Sequence, residues 1–246
     1  MAEENQLILP IIDSHIHLYR EKDLENVNWY KADGPLGGPH SVEQFKEAAK
    51  TSPSLLGFVF VETDFKYDLE TGAADGSGWE FPLQEVERLK RIALGQPEEG
   101  DGSSAEDAKL CLGIVPWAPI PSGPEVLDRY IDRVKEVAGD AWPKIKGFRY
   151  LLQDKPHGTM LEENFVEGLK LLGRKGLVFE VGVDHHRRGK KQLDELVALI
   201  EKVHDGVPEE ERVTLVISML QPNSSTHFLI TLLNHPTLFV FRNVLT

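Results

Sequence analysis

Basic residues are in short supply. The 246-residue chain carries 27 Lys and Arg against 40 Asp and Glu, a formal net charge of −13. Such an acidic surface argues against a phosphate-backbone partner, which needs clustered cations, so no nucleic-acid partner is expected. Cysteine is nearly absent. The single Cys111 cannot form an internal disulfide, which excludes a cystine-stapled scaffold and fits a reducing compartment. Long apolar runs are also missing. No stretch approaches the ~18 residues of a membrane span, and Met1 to Gln6 lacks the basic start and apolar core of a signal peptide. The expectation is a cytoplasmic protein with no membrane partner. No repeat, low-complexity tract or linker interrupts the chain, so 1–246 reads as a single domain. No Gly-x-Gly-x-x-Gly follows the first strand, which removes the fingerprint of a Rossmann sheet.

Short apolar runs are what the chain does have: Leu7–Ile12, Leu56–Val61, Leu110–Val115, Ile145–Tyr150, Leu177–Val183 and Val213–Ile217. Near-continuous Val, Ile, Leu and Phe predicts strands buried on both faces, as in a parallel sheet. Helix-like segments alternate with them: Ser41–Lys50, Pro82–Leu94, Pro124–Ala138, Leu161–Arg174 and Lys191–His204. From the third strand on, strands start near 110, 145, 177 and 213. Those intervals match one βα unit of a barrel, since about 250 residues make eight units. The longer connections Tyr19–His40 and Thr63–Lys109 follow strands one and two, at the face where barrels build sites. Within the second, Gln96–Ser104 reads as a solvated acidic loop.

The sharpest chemical feature is His15-Ile16-His17, at the end of the first strand. In extended backbone, residues i and i+2 share a face, so both imidazoles project together. Two convergent neutral imidazoles begin a transition-metal site; two hydrogen-bonded core histidines are the alternative. Arg149 ends strand four, where its planar fork suits a carbonyl or ring hydroxyls, or else a salt bridge at the rim. Asp184, His185 and His186 end strand five; Asp184 or His186 could bind hydroxyls, ligate metal or relay protons. The following Arg187-Arg188-Gly189-Lys190-Lys191 reads as a solvated basic turn. Glu62 and Asp64 end strand two on one side, Glu62 being the better candidate for substrate contact. Trp29, Trp79 and Trp117 follow strands one, two and three as aromatic walls for a sugar-like ring, with core packing the expected role of at least one. Cys111 reads as core filler, and His40, His157, His204, His227 and His235 as surface residues or local caps.

The phrase Ile11-Ile12-Asp13-Ser14-His15-Ile16-His17-Leu18 resembles the opening strand of the amidohydrolase superfamily. Further phrases narrow the likeness: Gly57–Asp64, Gly76–Glu80, Leu112–Trp117, Lys146–Tyr150 and Gly182–Gly189. Together they resemble the amidohydrolase-2 (amidohydrolase-related) branch, nearest the fungal L-rhamnono-lactonase type. The likeness implies an α/β (β/α)8 TIM barrel and a metal-dependent or metal-assisted hydrolase of carbohydrate catabolism that opens a sugar-acid lactone to the free acid. It implies His15 and His17 as metal ligands for Zn or Mn, or as substrate contacts, since some lactonases of this branch hold no tight metal. Arg149, Asp184 and His186 would be catalytic, and Glu62, Trp29, Trp79 and Trp117 would contact substrate. A non-catalytic ligand-binding barrel and a metal-dependent decarboxylase of the same superfamily are the alternatives.

The chain also departs from that pattern. Met219 stands where a histidine is expected after strand six, in Ser218-Met219-Leu220-Gln221-Pro222-Asn223. A thioether transfers no proton and suits a hard divalent ion poorly. After Met219 there is room for a short helix at Thr226–Asn234 and a seventh strand at Thr237–Phe241, and none for an eighth unit. The expectation is therefore an incomplete barrel of six to seven strands, short of the late aspartate. Metal would be weak or absent, activity low, and the open edges at Leu9–Ile12 and Leu238–Phe241 would promote self-association.

Overall fold

The structure, a computed structural model, describes residues 9–34, 36–50, 52, 54–219 and 238–242, with the side chains of His185, Met219 and 238–242 outside that description. Seven strands are described: β1 Ile11–Ile16, β2 Leu55–Val61, β3 Cys111–Val115, β4 Gly147–Arg149, β5 Val178–Val183, β6 Leu215–Met219 and β7 Leu238–Arg242. The helices between them are α1 Val42–Ala49, α2 Leu69–Asp75, α3 Glu80–Leu94, α4 Pro124–Ala138, α5 Glu163–Arg174 and α6 His185–His204. Every ladder is parallel, in the order β1-β2-β3 and β4-β5-β6-β7. The two sheets are stitched by parallel bridges Ile114↔Ile145 and Trp117↔Arg149. Arg149 N donates to Pro116 O and Ala118 N to Arg149 O, both at 2.9 Å, so seven strands follow one another in chain order.

That succession is curled. His15 on β1 lies 3.2 Å from Ser218 on β6 and 3.3 Å from Glu180 on β5. Neighbouring strands are about 4.8 Å apart, so a flat sheet would hold β1 and β6 more than about 20 Å apart. Only a sheet wrapped toward a barrel brings them into contact. The core lies between the strands and the helices. Phe148, Phe165, Leu169, Phe179, Val181, Leu196 and Leu215 are fully buried there, and each such side chain contributes about 1.5–3 kcal/mol of apolar burial.

Most elements fall where periodicity places them. α4 spans the anticipated residues, with Leu127, Tyr130, Ile131 and Val134 buried and its charges outward. Three differences have local causes. β1 runs on to Ile16, so the His15 position is within the strand, and Ile11 and Ile12 are exposed rather than buried. They line a cavity of about 720 Å3 with Leu36, Phe45 and Leu55, and His15, His17 and Ser218 stand in the same wall. The basic turn at 187–191 is instead part of α6, which breaks at Gly189, where φ is +69°. Residues 96–100 are the exposed acidic loop expected, but the loop is anchored just beyond them. Asp101 is buried and holds Arg20 at 2.8 Å and Arg91 at 2.9 Å. The expected helix at 226–234, the side chain of Met219, and His227 and His235 lie outside the described residues. No helix among the described residues is long and apolar enough to cross a membrane.

Candidate active site

At the C-terminal ends of the strands, side chains from β1, β2, β4, β5 and β6 converge. His15 and His17 share a face as the alternation requires, with their Nε2 atoms 3.2 Å apart and their rings nearly perpendicular. His17 Nδ1 lies 3.0 Å from the carbonyl of Val61. A carbonyl only accepts, so Nδ1 carries the proton and Nε2 keeps its lone pair. His15 Nδ1 faces Glu180 Oε1 at 3.3 Å and Ser218 Oγ at 3.2 Å. The carboxylate favours a proton at that nitrogen too, which turns a second lone pair toward the first. Ser218 and Glu180 address the same nitrogen, so Ser218, His15 and Glu180 are not a nucleophilic triad, in which base and acid use opposite ring nitrogens.

Arg149 is the centre of charge. Its Nε lies 2.8 Å from Glu180 Oε2 and 3.6 Å from Glu62 Oε1, with all three side chains buried. The approach to Glu180 is close but off the N–H axis. Arg149 Nε, both Glu180 oxygens and Glu62 Oε1 thus lack a directed hydrogen bond. Glu180 still has His15 and Ser218 as neighbours, whereas Arg149 Nε and Glu62 Oε1 are open; buried polar atoms are nearly always satisfied in proteins, so these mark a place that a ligand or water completes. Gly182 leaves room for the end of Arg149, since a Cβ there would stand 2.9 Å from Nη2.

Burial and charge act oppositely on the carboxylates. Burial raises Glu180, but Arg149, His15 and Ser218 outweigh it and hold the group down at about 2. Burial dominates at Glu62 and pushes it up to about 8, with Arg149 only partly offsetting it and Asp64 and Glu85 adding to the rise. Burial, then the His15 and Arg149 charges, push His17 down to about 3, so it is neutral near pH 7. Glu62 Oε2 accepts from the amide of Asp64, whose φ of +62° makes it the single non-glycine residue with positive φ among those described. Such a conformation costs of order 1–3 kcal/mol and gathers at functional sites.

The sign of one pH effect follows. The native pKa of Glu62 lies above its ordinary value of 4.5, so the native state binds the extra proton between the two. The stability Glu62 contributes is full below about pH 4.5 and is lost as pH rises toward about 8. Relative to Glu62→Gln, the wild type should lose melting temperature steadily over that interval and then run parallel. A difference in melting temperature that is flat from pH 5 to 8 would contradict the assignment.

Some expected site residues stand elsewhere. Asp184 caps α6: its carboxylate accepts from the amides of His186 and Arg187 and pairs with the Arg187 side chain. It is therefore occupied at the helix end, where an acid is favoured by the free amides. His186 follows it on the exposed side of that turn. Trp79 and Trp117 are buried in the core against Tyr130, at 5.2 and 5.3 Å between rings, rather than forming open walls. Trp29 does line the cavity and donates to the carbonyl of Thr63 at 2.9 Å. Cys111 is buried in β3. His204 is buried with Nε2 3.0 Å from the Val213 carbonyl, not on the surface.

Glu180 and Ser218 were not anticipated. Glu180 had a signal: it is the lone charge inside Val178-Phe179-Glu180-Val181-Gly182-Val183. A carboxylate in a doubly buried strand needs a partner, and only the fold shows that the partners are Arg149 and His15. Ser218 carries no such mark.

No protein-family model matches the chain. The chain is 33% identical over 196 residues to the L-rhamnono-gamma-lactonase of Scheffersomyces stipitis, covering 78% of this chain and 57% of that protein. It thus spans little more than half the length of this curated relative. In fold it is similar to amidohydrolase 2 from Bifidobacterium longum subsp. infantis, with a TM-score of 0.52 at 21% identity over 94% of this chain and 72% of that one. An amidohydrolase from Burkholderia multivorans with bound zinc matches at a TM-score of 0.50 and 17% identity, over 85% of this chain and 57% of that one.

Proposed function

Given that the chain is an amidohydrolase-related protein, we propose that it hydrolyses the ring ester of a small sugar-acid lactone, of the L-rhamnono-γ-lactone kind, to the open acid. The same reading makes its seven parallel strands part of an eight-unit barrel. The observation that carries it is the buried cluster of His15, His17, Glu62, Arg149 and Glu180, with its unfilled hydrogen-bonding atoms. Arg149 places a fixed cation and N–H donors where a lactone carbonyl can take up negative charge, which matters most in a water-poor site. Glu62, with its pKa near 8, sits in the range where a carboxyl group both accepts and returns a proton. In ring opening, water oxygen bonds to the carbonyl carbon and its proton passes to Glu62. The ring C–O bond then breaks, and Glu62 returns the proton to the departing oxygen. The lactone and one water become one hydroxy acid. Trp29 offers an apolar wall to the ring.

The two histidines fit a divalent metal in part. Two tetrahedral metal–nitrogen bonds place the nitrogens about 3.3 Å apart, and the Nε2 atoms stand at 3.2 Å with both lone pairs inward. Glu180 and the Val61 carbonyl supply the outer partners that orient such ligands. Among the described residues no group of three ligating side chains is present, and His15 and His17 are the two that would hold a metal here. Zinc or manganese so bound would polarise a carbonyl and lower the pKa of water.

The test is acid release from L-rhamnono-1,4-lactone, with and without added zinc or manganese. One equivalent of acid per lactone, without gas, is expected, and His15→Ala with His17→Ala should abolish zinc binding by calorimetry. Failure to open any of a panel of sugar lactones under either metal, or release of carbon dioxide from an acid instead, would overturn the proposal.

A further inference from the structure

We propose that Lys155, seated on Tyr67 and Tyr150 at the mouth of the site, forms a subsite for a carboxylate. The inference takes only the kind of ligand, a hydroxy acid or its lactone, from the proposed function. The geometry is its own. Lys155 Nζ donates to the Tyr67 hydroxyl at 2.8 Å and stands 5.4 Å and 5.3 Å from the ring centroids of Tyr67 and Tyr150. Tyr67 packs on Trp117 at 4.6 Å and on Tyr150 at 6.0 Å. The cluster is rich in donors and poor in acceptors. An ammonium has three protons and no acceptor capacity, and its side-chain hydrogen-bond partners among the described residues are two phenols, Tyr67 and Tyr150. The buried indole Nε1 of Trp117 adds a further donor beside the Tyr67 hydroxyl. Both phenols stay protonated: burial, the largest cause at each, pushes Tyr67 up to about 12 and Tyr150 higher still.

The side chain of Lys155 is not needed to hold its own loop. The backbone does that: Lys155 N donates to Leu152 O at 3.0 Å, Gln192 Nε2 donates to Leu152 O at 3.1 Å, and Arg188 donates to the carbonyl of Lys155. Arg187 adds an ion pair to Asp154 at 3.1 Å. The loop is thus braced from α6, and the ammonium is held over two aromatic faces with no carboxylate in ion-pair contact among the described residues. Its acidic neighbours include Asp154, which pairs with Arg187, and Asp64, which feels Lys155, Arg149 and Asp154 and whose Oδ1 is engaged by Asn28 at 3.1 Å. Asp64 links the subsite to the reacting cluster and also limits how strongly an anion binds. On a protein of net charge −13, a cation without a contact counter-ion next to a lactone site selects one kind of group. A carboxylate accepts from an ammonium and a neighbouring N–H or O–H together, whereas a ring hydroxyl offers one oxygen.

The carboxylate could come from a substrate that carries one beside its lactone, or from the acid that ring opening releases. Lys155→Met keeps the apolar stem over the rings and removes the charge. Three probes separate the sources: neutral L-rhamnono-1,4-lactone, carboxylate-bearing D-glucaro-1,4-lactone, and L-rhamnonate. A charge-assisted hydrogen bond corresponds to roughly 10–100-fold in binding. A substrate source predicts that the KM ratio of the glucaro- to the rhamnono-lactone rises at least about tenfold in Lys155→Met. A product source predicts that inhibition by L-rhamnonate weakens by the same factor. If the wild type opens no lactone, the function proposal fails alone, and calorimetric titration with L-rhamnonate and D-glucarate decides the subsite. Binding lost in Lys155→Met supports it. Equal binding to both proteins, no binding to either, or a KM ratio and inhibition constant both unchanged within twofold would overturn it.

Discussion

Replacement of Arg149 by Met is expected to lower kcat/KM for lactone opening by about 10²–10³-fold, the loss that follows removal of one oxyanion donor. It should also lower stability by about 3–5 kcal/mol, because removing one partner leaves buried charge uncompensated. The reason lies in the surroundings of the guanidinium: Glu180 at 2.8 Å and Glu62 at 3.6 Å, both buried. Arg149 is the first-ranked of the influences that lower Glu180 against the rise from burial. Without it, burial pushes the Glu180 pKa up, opposed only by His15 and Ser218, and the change disturbs His15. Arg149→Lys keeps the charge and loses the planar fork, so it should recover much of the stability and less of the activity. Thermal unfolding and steady-state kinetics of the two variants separate the contributions. Wild-type turnover by Arg149→Met would remove Arg149 from the reaction.

Glu180→Gln should produce the second largest effect, and on three readouts. The buried guanidinium loses its closest counter-charge, so the melting temperature falls. The proton at His15 Nδ1 loses its carboxylate partner, so the Nε2 lone pair is less basic and less firmly oriented. Loss of such an outer partner typically weakens metal affinity by 10–100-fold, and zinc affinity in this chain should fall in that range. Lactone opening should fall with it. The amide oxygen can still accept from Nδ1, so the ring need not turn. A variant with unchanged zinc affinity and unchanged melting temperature would show that the contact of Glu180 with His15 and Arg149 has no energetic consequence.

These two residues show how far the chain itself reveals its site. His15 and His17 were legible because their spacing alone, two residues apart in extended backbone, puts them on one face. Arg149 was legible as a lone charge closing an apolar run. Glu180 breaks an apolar run in the same way, but its strand runs on into Asp184-His185-His186, a polar cluster with a stronger local signature. Asp184 resembles a catalytic acid in sequence and is a helix cap in three dimensions. A cap and a catalytic carboxylate have the same local chemistry. They differ in whether the next residues turn into a helix whose free amides claim the oxygens. The three tryptophans divide for a related reason. Position after a strand says nothing about which way a ring swings, and Trp79 and Trp117 swing onto Tyr130 in the core while Trp29 faces the cavity.

Local chemistry in the chain was enough to set the alternation of strands and helices, the parallel sheet, the core-facing stripe of α4 and the pairing of His15 with His17. Each depends on a period of two or 3.6 residues, or on contacts within a few positions. The curl of the sheet decided the rest. It carried β5 and β6 round to β1, set Glu180 and Ser218 on one nitrogen of His15, and gave Arg149 two buried carboxylates. It also set Glu62 near 8 and Glu180 near 2. Two glutamates of one intrinsic pKa part by that much because burial acts on both, while Arg149, His15 and Ser218 together lower Glu180, and at Glu62 Arg149 is opposed by Asp64 and Glu85. Distances between residues far apart in sequence exist only in the folded chain, and the electrostatics of the site follow those distances.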